Sequence, residues 1–414
     1  MEPAGLERVL LTRRSLLLGV VASLIAVWMA AANVATHGSV GLFNDFYPYW
    51  ASVKLLAGHH DPYDVVAAWR VLDRARIPES ITLGYTYPAL LGYLMLPLAW
   101  LPPLPAAVLF SVAGLVAFTL AVALLLAPLG RLPWAELALL AAGAGTFVAI
   151  TGSLFIGQAN LLVLLPLALA FRGMARAASL ALATAIKLYP VVGLLAFLPR
   201  GGRDRRQLLL GAVAAVGLTI IPNLLSGAHS PHFAQMFTPD AYFTNQSVNG
   251  FLSRLAGGPW HTAPPLLPDL AIERPMIAIC AALGALTLAV VFGARGAPWD
   301  GCLALLLVYG TIAAPRNSLW NFAPLLLAMA WCWPRVRHRP CLLGVLLAAW
   351  ALIELQAKVF EGGPPLQSGN AWLGLLGSIA FYGALLLGGL VAYLLLAGAH
   401  PTEGNQPQEP ASGS

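Results

Sequence analysis

Long apolar stretches follow one another along almost the whole chain, separated by shorter polar segments. They fall at residues 15–35, 87–101, 105–129, 135–152, 158–171, 177–199, 207–226, 275–294, 300–316, 319–334, 341–356 and 371–398. A helix of about 20 apolar residues crosses the hydrocarbon core of a membrane. The pattern therefore predicts an all-α polytopic membrane protein with about 11–12 transmembrane helices, because a helix satisfies its own backbone hydrogen bonds in lipid.

Two stretches are too polar to span a membrane and are predicted to be outer loops, residues 36–86 and 227–272. In the first, apolar and basic positions between Pro62 and Ile77 are spaced as in an amphipathic helix that lies in the membrane interface. The second is rich in Pro, Asn and His and predicts an irregular loop. Residues 401–414 predict a disordered tail, which leaves residues 1–400 as a single transmembrane domain.

The composition excludes a soluble domain. Hydrophobic residues make up 59% of the chain and charged residues 10%, whereas soluble domains are about 25% charged. The net charge of +6 comes from arginines between the apolar stretches, which indicates membrane topology rather than nucleic-acid binding. The four cysteines show no zinc spacing and no disulfide framework. His59 and His60 are adjacent, and because adjacent side chains diverge, no metal site is predicted.

The positions of the arginines predict the orientation of the chain in the membrane. Cytoplasmic loops carry the excess of Arg and Lys, and basic residues precede the first apolar stretch and cluster from Arg200 onwards. Both termini are therefore predicted to lie inside a bacterial cytoplasmic membrane, with both large loops outside. Arg172 and Arg176 conflict with a strict alternation of spans. We therefore expect residues 158–199 to contain broken helices that enter the membrane and return without crossing it, which are tolerated where they line a protein cavity.

Asp45 is the strongest candidate for a catalytic group. It lies just beyond the first apolar stretch, in the run Asn-Asp-Phe-Tyr-Pro-Tyr-Trp at residues 44–50. A carboxylate at a membrane exit suits a general base that must meet both a lipid-carried substrate and water. The alternative is an interfacial loop whose Tyr and Trp side chains belong to the aromatic belt. Asp61 is a second candidate for the base, or caps a turn before Pro62.

Lys187 and Arg316 are candidates for binding a negatively charged substrate. Lysine occurs three times in the chain, and Lys187 lies inside an apolar stretch, where an unpaired ammonium is costly. The Tyr-Pro that follows indicates a break in the helix. Alternatively, Lys187 extends its side chain to the interface, and Arg316, before a late span on the outer side, is only an interfacial anchor.

Amide side chains add groups that suit sugar hydroxyls. Gln158 and Asn160 lie in an apolar stretch, and Asn245 and Gln246 lie in the second outer loop. An amide offers both donors and an acceptor to a sugar, but amides also form hydrogen bonds between the helices of membrane bundles. The sequence leaves both roles open.

Five short motifs occur in order over some two hundred residues. They are Asp45-Phe46 with Tyr49 and a later Asp61-Pro62-Tyr63, Tyr87-Pro88, Gly157-Gln158-Ala159-Asn160, Lys187-Leu188-Tyr189-Pro190 and Asn245-Gln246-Ser247. In these motifs the chain resembles glycosyltransferase family 87, integral-membrane enzymes of the GT-C class that use polyprenyl-phosphate sugars. One departure concerns Asn321, which follows Ser318-Leu319-Trp320 where members of the family often carry histidine.

The resemblance implies a GT-C-type fold and an inverting transfer of a sugar from a polyprenyl phosphate to a glycan or glycolipid outside the cytoplasmic membrane. Asp45 is then the expected base. The residues expected to contact the substrate are Lys187, Arg316, Tyr49, Gln158, Asn160, Tyr189, Asn245, Gln246 and Asp61. Mannose is the expected sugar, with arabinofuranose as the alternative. No cofactor, metal ion or nucleic acid is expected.

A transporter or flippase for lipid-linked sugars is the competing class of protein. It would also account for Lys187 and for amides within apolar stretches, without any chemistry. A transporter needs access from both sides of the membrane, whereas a transferase needs one pocket on the outer side. The place where the polar side chains cluster therefore separates the two classes.

Overall fold

The computed structural model describes residues 11–39, 41–77, 85–227, 238–257, 265–268, 270–294, 296–360 and 373–399. Within these residues the secondary structure is helical, apart from an isolated β-bridge between Asn245 and Ser318. The predicted all-α architecture of a polytopic membrane protein is confirmed. The predicted tail, residues 401–414, lies outside the described residues.

Helices of very different lengths make up the described part of the chain. The α-helices are α1 (Arg13–His37), α2 (Phe46–Ala57), α3 (Val65–Arg74), α4 (Ala89–Met95), α5 (Pro103–Leu126), α6 (Trp134–Thr146), α7 (Val148–Ile156), α8 (Asn160–Phe171), α9 (Arg176–Ile186), α10 (Gly202–Leu225), α11 (Val248–Ala256), α12 (Glu273–Gly293), α13 (Trp299–Ala313), α14 (Leu325–Val336), α15 (Pro340–Phe360), α16 (Leu373–Leu376) and α17 (Ile379–Ala399). Short 3-10 helices cover Leu96–Trp100, Ala127–Leu129, Tyr189–Phe197 and Leu319–Phe322. A proline directly precedes α4, α5, α6 and α13, as expected for a residue whose fixed φ suits a helix start but which lacks a backbone donor.

Among the described helices, five are long and apolar enough to cross a membrane: α1, α5, α10, α12 and α17. Helices α6 and α7 together form a sixth apolar span, bent by 42° at the break between them. The N–H of Val148, at the start of α7, donates to Oε1 of Glu354 in α15 at 2.9 Å. A carboxylate thus caps the helix that begins at the bend. The helices of other predicted spans, including α8, α9, α13 and α15, have shorter apolar parts, so the predicted number of 11–12 transmembrane helices stays a prediction.

Most of these helices run between two ends of the molecule, one of which is rich in arginine. At this basic end, Arg14 donates to the carbonyls of Gly130 and Leu132, and Arg337 forms an ion pair with Glu136 at 2.8 Å. The opposite end contains Asp45, beyond the C-terminal end of α1, and we call it the Asp45 end. The difference in charge between the ends matches the bias that orients membrane proteins.

Trp299, at the start of α13, gathers further arginines at the basic end. The guanidinium groups of Arg176 and Arg200 lie 4.8 and 5.6 Å from the centre of its ring, a cation–π geometry. Its Nε1 donates to the carbonyl of Ala170 at 2.8 Å. The turn between α8 and α9 is therefore at the basic end.

Residues 87–101 do not cross between the two ends, which corrects a predicted span. The N–H of Ala89 donates to Oδ1 of Asn223, near the end of α10, at 2.9 Å, and Trp50 donates to the carbonyl of Leu101 at 3.1 Å. Both contacts lie at the Asp45 end. The stretch is apolar because it packs against α2 and α10, so its hydropathy resembles that of a span without its geometry.

Residues 158–199 pass between the two ends three times rather than twice. Helix α8 leads to the basic end, α9 returns to the Asp45 end, and the 3-10 helix Tyr189–Phe197 leads back towards Arg200. The stretch is broken into short helices as expected, but these helices pass between the two ends instead of returning to the end from which they came. The additional pass replaces the one lost at residues 87–101, and it places Arg172 and Arg176 at the basic end, as the arginine bias requires.

Both large outer loops contain helices of their own. Helix α3 lies within the stretch predicted to be amphipathic, with Leu72 buried and Arg70 exposed. The side chain of Asp64 caps its start by accepting a backbone N–H. The second loop was predicted to be irregular, but residues 248–256 form α11, which Ser247 caps. A cap residue before a short amphipathic run was the signal for this helix in the sequence.

Candidate active site

The position of Asp45 is fixed by the end of α7. The N–H of Asp45 donates to the carbonyl of Ile156 at 2.9 Å. The chain then turns at Gly157, whose φ of +75° is a conformation that glycine adopts without steric cost. A Cβ at this position would also lie 2.6 Å from the Cβ of Phe46. The tight turn brings Gln158 beside Asp45.

A chain of side-chain hydrogen bonds leads from Asp45 to Lys187. Nε2 of Gln158 donates to Oδ2 of Asp45 at 2.5 Å, and Nδ2 of Asn160 donates to Oε1 of Gln158 at 2.6 Å. Nζ of Lys187 donates to Oδ1 of Asn160 and to Oδ1 of Asn321. Gln158, Asn160 and Lys187 are buried, whereas Asp45 is half-buried. We call Asp45, Gln158, Asn160, Lys187 and Asn321 the Asp45 network.

The surroundings of Asp45 suit a proton acceptor. Burial raises the pKa of its carboxyl above the usual range for an aspartate. The hydrogen bond from Gln158 and the positive charge of Lys187 act in the opposite direction, but burial is the larger effect. A carboxylate whose pKa is raised binds a proton more strongly, which is the property required of a general base.

Tyrosines line the Asp45 network on the side of α2 and α4. The hydroxyl of Tyr49 donates to that of Tyr87 at 3.0 Å, and Nζ of Lys187 lies 5.2 Å from the centre of the Tyr87 ring. Tyr63 donates to the backbone carbonyl of Tyr87 at 2.8 Å and holds that residue in place. Side chains with an apolar ring and a hydroxyl complement a sugar, which also presents apolar and hydroxyl surfaces.

Residues 316–321 connect the Asp45 network with the second outer loop. The carbonyl of Trp320 accepts hydrogen bonds from Nδ2 of Asn160 at 2.7 Å and from Oγ of Ser153 at 3.2 Å. Gly152 in α7 lies directly against the Trp320 ring, where a Cβ would be 2.1 Å from a ring carbon. The close approach of this segment to α7 therefore depends on glycine at position 152.

The second outer loop forms its own polar cluster beside this segment. Nε of Arg316 forms an ion pair with Oδ2 of Asp240 at 2.5 Å. Arg254 is buried and donates to the carbonyls of Tyr242 and Asn245 at 3.1 and 2.9 Å. Burial, followed by the negative charges of Asp240 and Asp45, raises the pKa of Tyr242. Tyr242 in this loop therefore lies close enough to Asp45 for an electrostatic interaction between the two side chains.

The structure places the predicted site residues in two neighbouring groups. Asp45, Gln158, Asn160 and Lys187 belong to one network, with Tyr49 beside it. The second group consists of Asn245 and Gln246 in the second outer loop and Arg316 in the neighbouring segment.

Asn245 and Gln246 use their amide groups to hold the second outer loop in place. Nδ2 of Asn245 donates to the carbonyl of Asp240 at 2.9 Å. Nε2 of Gln246 donates to the carbonyls of Phe243 and Gly377 at 2.6 and 2.7 Å. Their predicted contact with a sugar stays a prediction.

Asp61 and Tyr189 have other surroundings. Oδ1 of Asp61 accepts the backbone N–H of Tyr63 at 2.9 Å, which is the turn cap that the sequence offered as the alternative role. The hydroxyl of Tyr189 is buried and has no hydrogen-bond partner among the described residues. Its predicted contact with a substrate stays a prediction.

Asn321, Tyr87 and Asp240 were not among the predicted site residues. Asn321 stands at the position where the resemblance expects histidine, and Tyr87 belongs to a Tyr-Pro motif, so both positions had a signal in the sequence. Asp240 had none, because its partner Arg316 lies 76 residues further along the chain. Among the described residues, no three His, Cys, Asp or Glu side chains are placed to hold a metal ion.

An apolar cavity of about 180 Å³ lies between α5, α6, α14 and α15. Its lining includes Leu126 and Trp333, near the basic end, and contains no charged side chain. The cavity is remote from the Asp45 network, which lies at the opposite end of these helices. The chemistry-bearing side chains therefore do not line it.

The sequence model of glycosyltransferase family 87 matches residues 85–315, which is more than half of the 414 residues. The chain belongs to glycosyltransferase family 87. It is a multi-pass membrane glycosyltransferase, as the sequence predicted. Gln158, Asn160 and Lys187 lie within the matched residues, whereas Asp45 and Asn321 lie outside them. No curated protein and no solved structure matches the chain.

Proposed function

We propose that this family 87 protein transfers a sugar from a polyprenyl-phosphate donor to a glycan or glycolipid, with Asp45 as the general base. The observation that carries the proposal is the hydrogen-bonded connection between a half-buried carboxylate and a buried lysine at one end of a membrane protein. The reaction requires a proton acceptor for the attacking hydroxyl and positive or hydrogen-bonding groups for the charge of the phosphate.

The transfer exchanges one bond to the anomeric carbon for another. Asp45 accepts the proton of the acceptor hydroxyl while the oxygen attacks the anomeric carbon. The bond between that carbon and the phosphate oxygen breaks, and the electron pair leaves on the phosphate. A single displacement of this kind inverts the configuration at the anomeric carbon. Asp45 then releases the proton to water, which restores the base for the next turnover.

Lys187 is the cation placed to bind the donor phosphate. Its hydrogen bonds go to two neutral amide oxygens, those of Asn160 and Asn321, and charge-assisted hydrogen bonds to phosphate are roughly twice as strong as neutral ones. Arg316 lies in the adjacent cluster and already has a carboxylate partner, Asp240. We therefore assign the phosphate to Lys187 first, with Arg316 as the second cation of the site.

Mannose is the proposed sugar and arabinofuranose the alternative, and both rest on the resemblance to family 87. The GT-C class and the inverting mechanism rest on the same resemblance. The distribution of arginines supports an active site on the periplasmic side of a bacterial cytoplasmic membrane, since the Asp45 end lies opposite the basic end.

A transporter of lipid-linked sugars is the competing function. The described polar networks around Asp45 and Arg316 lie at one end, whereas the arginines of the other end bind backbone carbonyls, aromatic rings and the carboxylate of Glu136. This one-sided arrangement favours a transferase, because a transporter requires a polar path open to each side in turn.

The proposal is tested by incubating membranes that contain the protein with labelled polyprenyl-phosphate mannose and polyprenyl-phosphate arabinofuranose, and by identifying the product. A transferase attaches the label to a new glycan or glycolipid in a time-dependent manner. Movement of the intact labelled lipid across the bilayer without a new glycosidic bond would show a transporter instead.

A further inference from the structure

The side-chain amides of Asn160 and Gln158 connect Lys187 with Asp45 through hydrogen bonds. The groups at the two ends of this hydrogen-bonded chain determine which way each amide faces. An ammonium has only donors, so it must face Oδ1 of Asn160. The Nδ2 group of Asn160 then faces Oε1 of Gln158, and Nε2 of Gln158 faces the carboxylate. A carboxylate only accepts hydrogen bonds, so both ends of the chain require the same orientation.

The surrounding side chains hold this orientation in place. Nδ2 of Asn160 also donates to Oγ of Ser153 at 2.8 Å and to the carbonyl of Trp320 at 2.7 Å. Asn160 is 1% exposed and Gln158 is 9% exposed. In this geometry Gln158 binds Oδ2 of Asp45, which leaves Oδ1 to meet an acceptor hydroxyl.

We propose that Gln158 and Asn160 are positioning residues that hold the base Asp45 in register with the phosphate-binding Lys187, rather than contacts to the sugar. The proposal rests on the proposed function and goes beyond it, because it assigns the two amides to the connection between the base Asp45 and the cation Lys187. Aligned amide dipoles between a cation and an anion stabilise the charged form of each. The amide chain thus orients the Asp45 carboxylate and favours its charged form.

The groups that face Asp45 make a pH profile informative. In the part of the chain that the structure describes, the ionisable groups that interact with Asp45 are Lys187 at the end of α9, Tyr49 in α2, Tyr87 before α4 and Tyr242 in the second outer loop. Burial raises the pKa of Tyr242 above that of an ordinary tyrosine, so it stays neutral in the acidic range. The fall of kcat at acidic pH, which we call the acid limb, therefore reports on the protonation of Asp45.

The decisive variant is Gln158→Met, which keeps a similar length and removes the hydrogen bond to the carboxylate. Losing a hydrogen bond to the charged form makes Asp45 easier to protonate, so the acid limb of kcat should move to higher pH by about one unit. The donor KM should stay unchanged, because Lys187 keeps its contacts with Asn160 and Asn321. Gln158→Asn, a shorter amide, should move the limb in the same direction if the Met variant does not accumulate.

Three further variants separate positioning from a general structural effect. Asn160→Leu cuts the chain at its centre, so it should move the acid limb and also raise the donor KM. Asn321→Leu removes the other acceptor of Lys187, so it should raise the donor KM without moving the limb. Gln356→Met removes another buried glutamine, whose amide donates to the carbonyls of Phe243 and Gly377, and it should leave the limb in place.

The results distinguish this inference from the proposed function. If Gln158→Met raises the donor KM and leaves the acid limb in place, Gln158 contacts the sugar and the inference is wrong. An unchanged limb together with an unchanged donor KM overturns it as well. If Asp45→Asn retains full activity, the proposed role of Asp45 fails irrespective of the amides.

Discussion

Lys187 is the residue whose partners are most easily exchanged for a substrate. A phosphate group would replace neutral amide oxygens with charged ones, and the interaction strengthens as charge develops on the leaving oxygen. Lys187→Ala should therefore lower kcat and raise the donor KM, with the acceptor KM almost unchanged. Lys187→Arg should rescue only part of the loss, because a planar guanidinium does not replace a point charge.

The control for this prediction is Lys54→Ala. Lys54 lies at the same end, is exposed, and sits 4.9 Å from the centre of the Trp50 ring rather than in the Asp45 network. Lys54→Ala should therefore retain the wild-type kcat and donor KM. Arg316→Ala should resemble Lys187→Ala in a weaker form, since Asp240 already binds its guanidinium. Wild-type donor KM in both the Lys187 and Arg316 variants would show that the phosphate binds elsewhere.

The raised pKa of Asp45 predicts the pH dependence of turnover. The base acts in its ionised form, and a raised pKa means that the carboxyl takes up a proton at a higher pH than an ordinary aspartate. Activity should therefore be present above this pKa and disappear as the pH falls through it. Steady-state kcat measured against pH checks this, and the polyprenyl-phosphate donor, a phosphodiester, does not titrate in that range. An acid limb at the usual pKa of aspartate would contradict the burial of the base.

At this scale the sequence singled out four members of the Asp45 network, Asp45, Gln158, Asn160 and Lys187, and it was less informative about what each predicted residue binds. Asp45 and Lys187 were identified because a carboxylate at a membrane exit and a lysine in an apolar stretch are costly without a function. The hydrogen-bond partners of Asn245 and Gln246 could not be predicted. They are backbone carbonyls, and their positions depend on how the second outer loop folds.

The element that positions the site is α7, which packs against the segment 316–321. Gly152→Ala would place a Cβ 2.1 Å from the Trp320 ring and should push this segment away from Asn160. Overpacking of this kind typically costs about 1–3 kcal/mol, so the variant should unfold at a lower temperature in detergent and lose activity.

Gly143→Ala is the matched control, because Gly143 lies in the neighbouring helix α6 and has nothing within 4 Å of an added Cβ. Replacing a helical glycine by alanine stabilises a helix by roughly 0.5–1 kcal/mol, so this variant should be at least as stable as the wild type. Equal stability and activity in the two alanine variants would show that the Trp320 contact does not hold the site.

Helices could be predicted where an apolar stretch is compatible with one structure, a single long helix. The stretch at residues 103–126 is a single long helix, α5, as its hydropathy indicates. Residues 87–101 and 177–199 are equally apolar, but the first packs at the Asp45 end and the second turns back at Lys187. Hydropathy measures the cost of exposure to water and does not distinguish lipid from a protein interior, so the path of these two stretches was not readable.

Considered as a whole, the molecule has a basic end and an Asp45 end, and the hairpin of α8 and α9 connects them. Met174, in the turn of this hairpin, is 49% exposed, and Leu188, at its open end, is 36% exposed. We expect Leu188→Cys to react with a membrane-impermeant thiol reagent added outside the cell, and Met174→Cys to react only from the cytoplasm. The background is a variant in which Cys280, Cys302, Cys332 and Cys341 are replaced by serine.

This labelling tests the orientation independently of activity. Reaction of Leu188→Cys from the cytoplasm would overturn the proposed periplasmic site, even if the protein were an active transferase. We expect this orientation because arginine-rich segments of membrane proteins stay on the cytoplasmic side, and the basic end carries the arginines.

The central claim is that Asp45 is the base of a glycosyl transfer. The most direct test is the rate of transfer from labelled donor in Asp45→Asn, which keeps the size of the side chain and removes its charge and basicity. General base catalysis contributes typically 10²–10⁴-fold, so turnover should fall by at least about a hundredfold at unchanged expression, while Asp61→Asn stays near the wild type. Near-normal transfer by Asp45→Asn, or a larger loss in Asp61→Asn, would contradict the assignment.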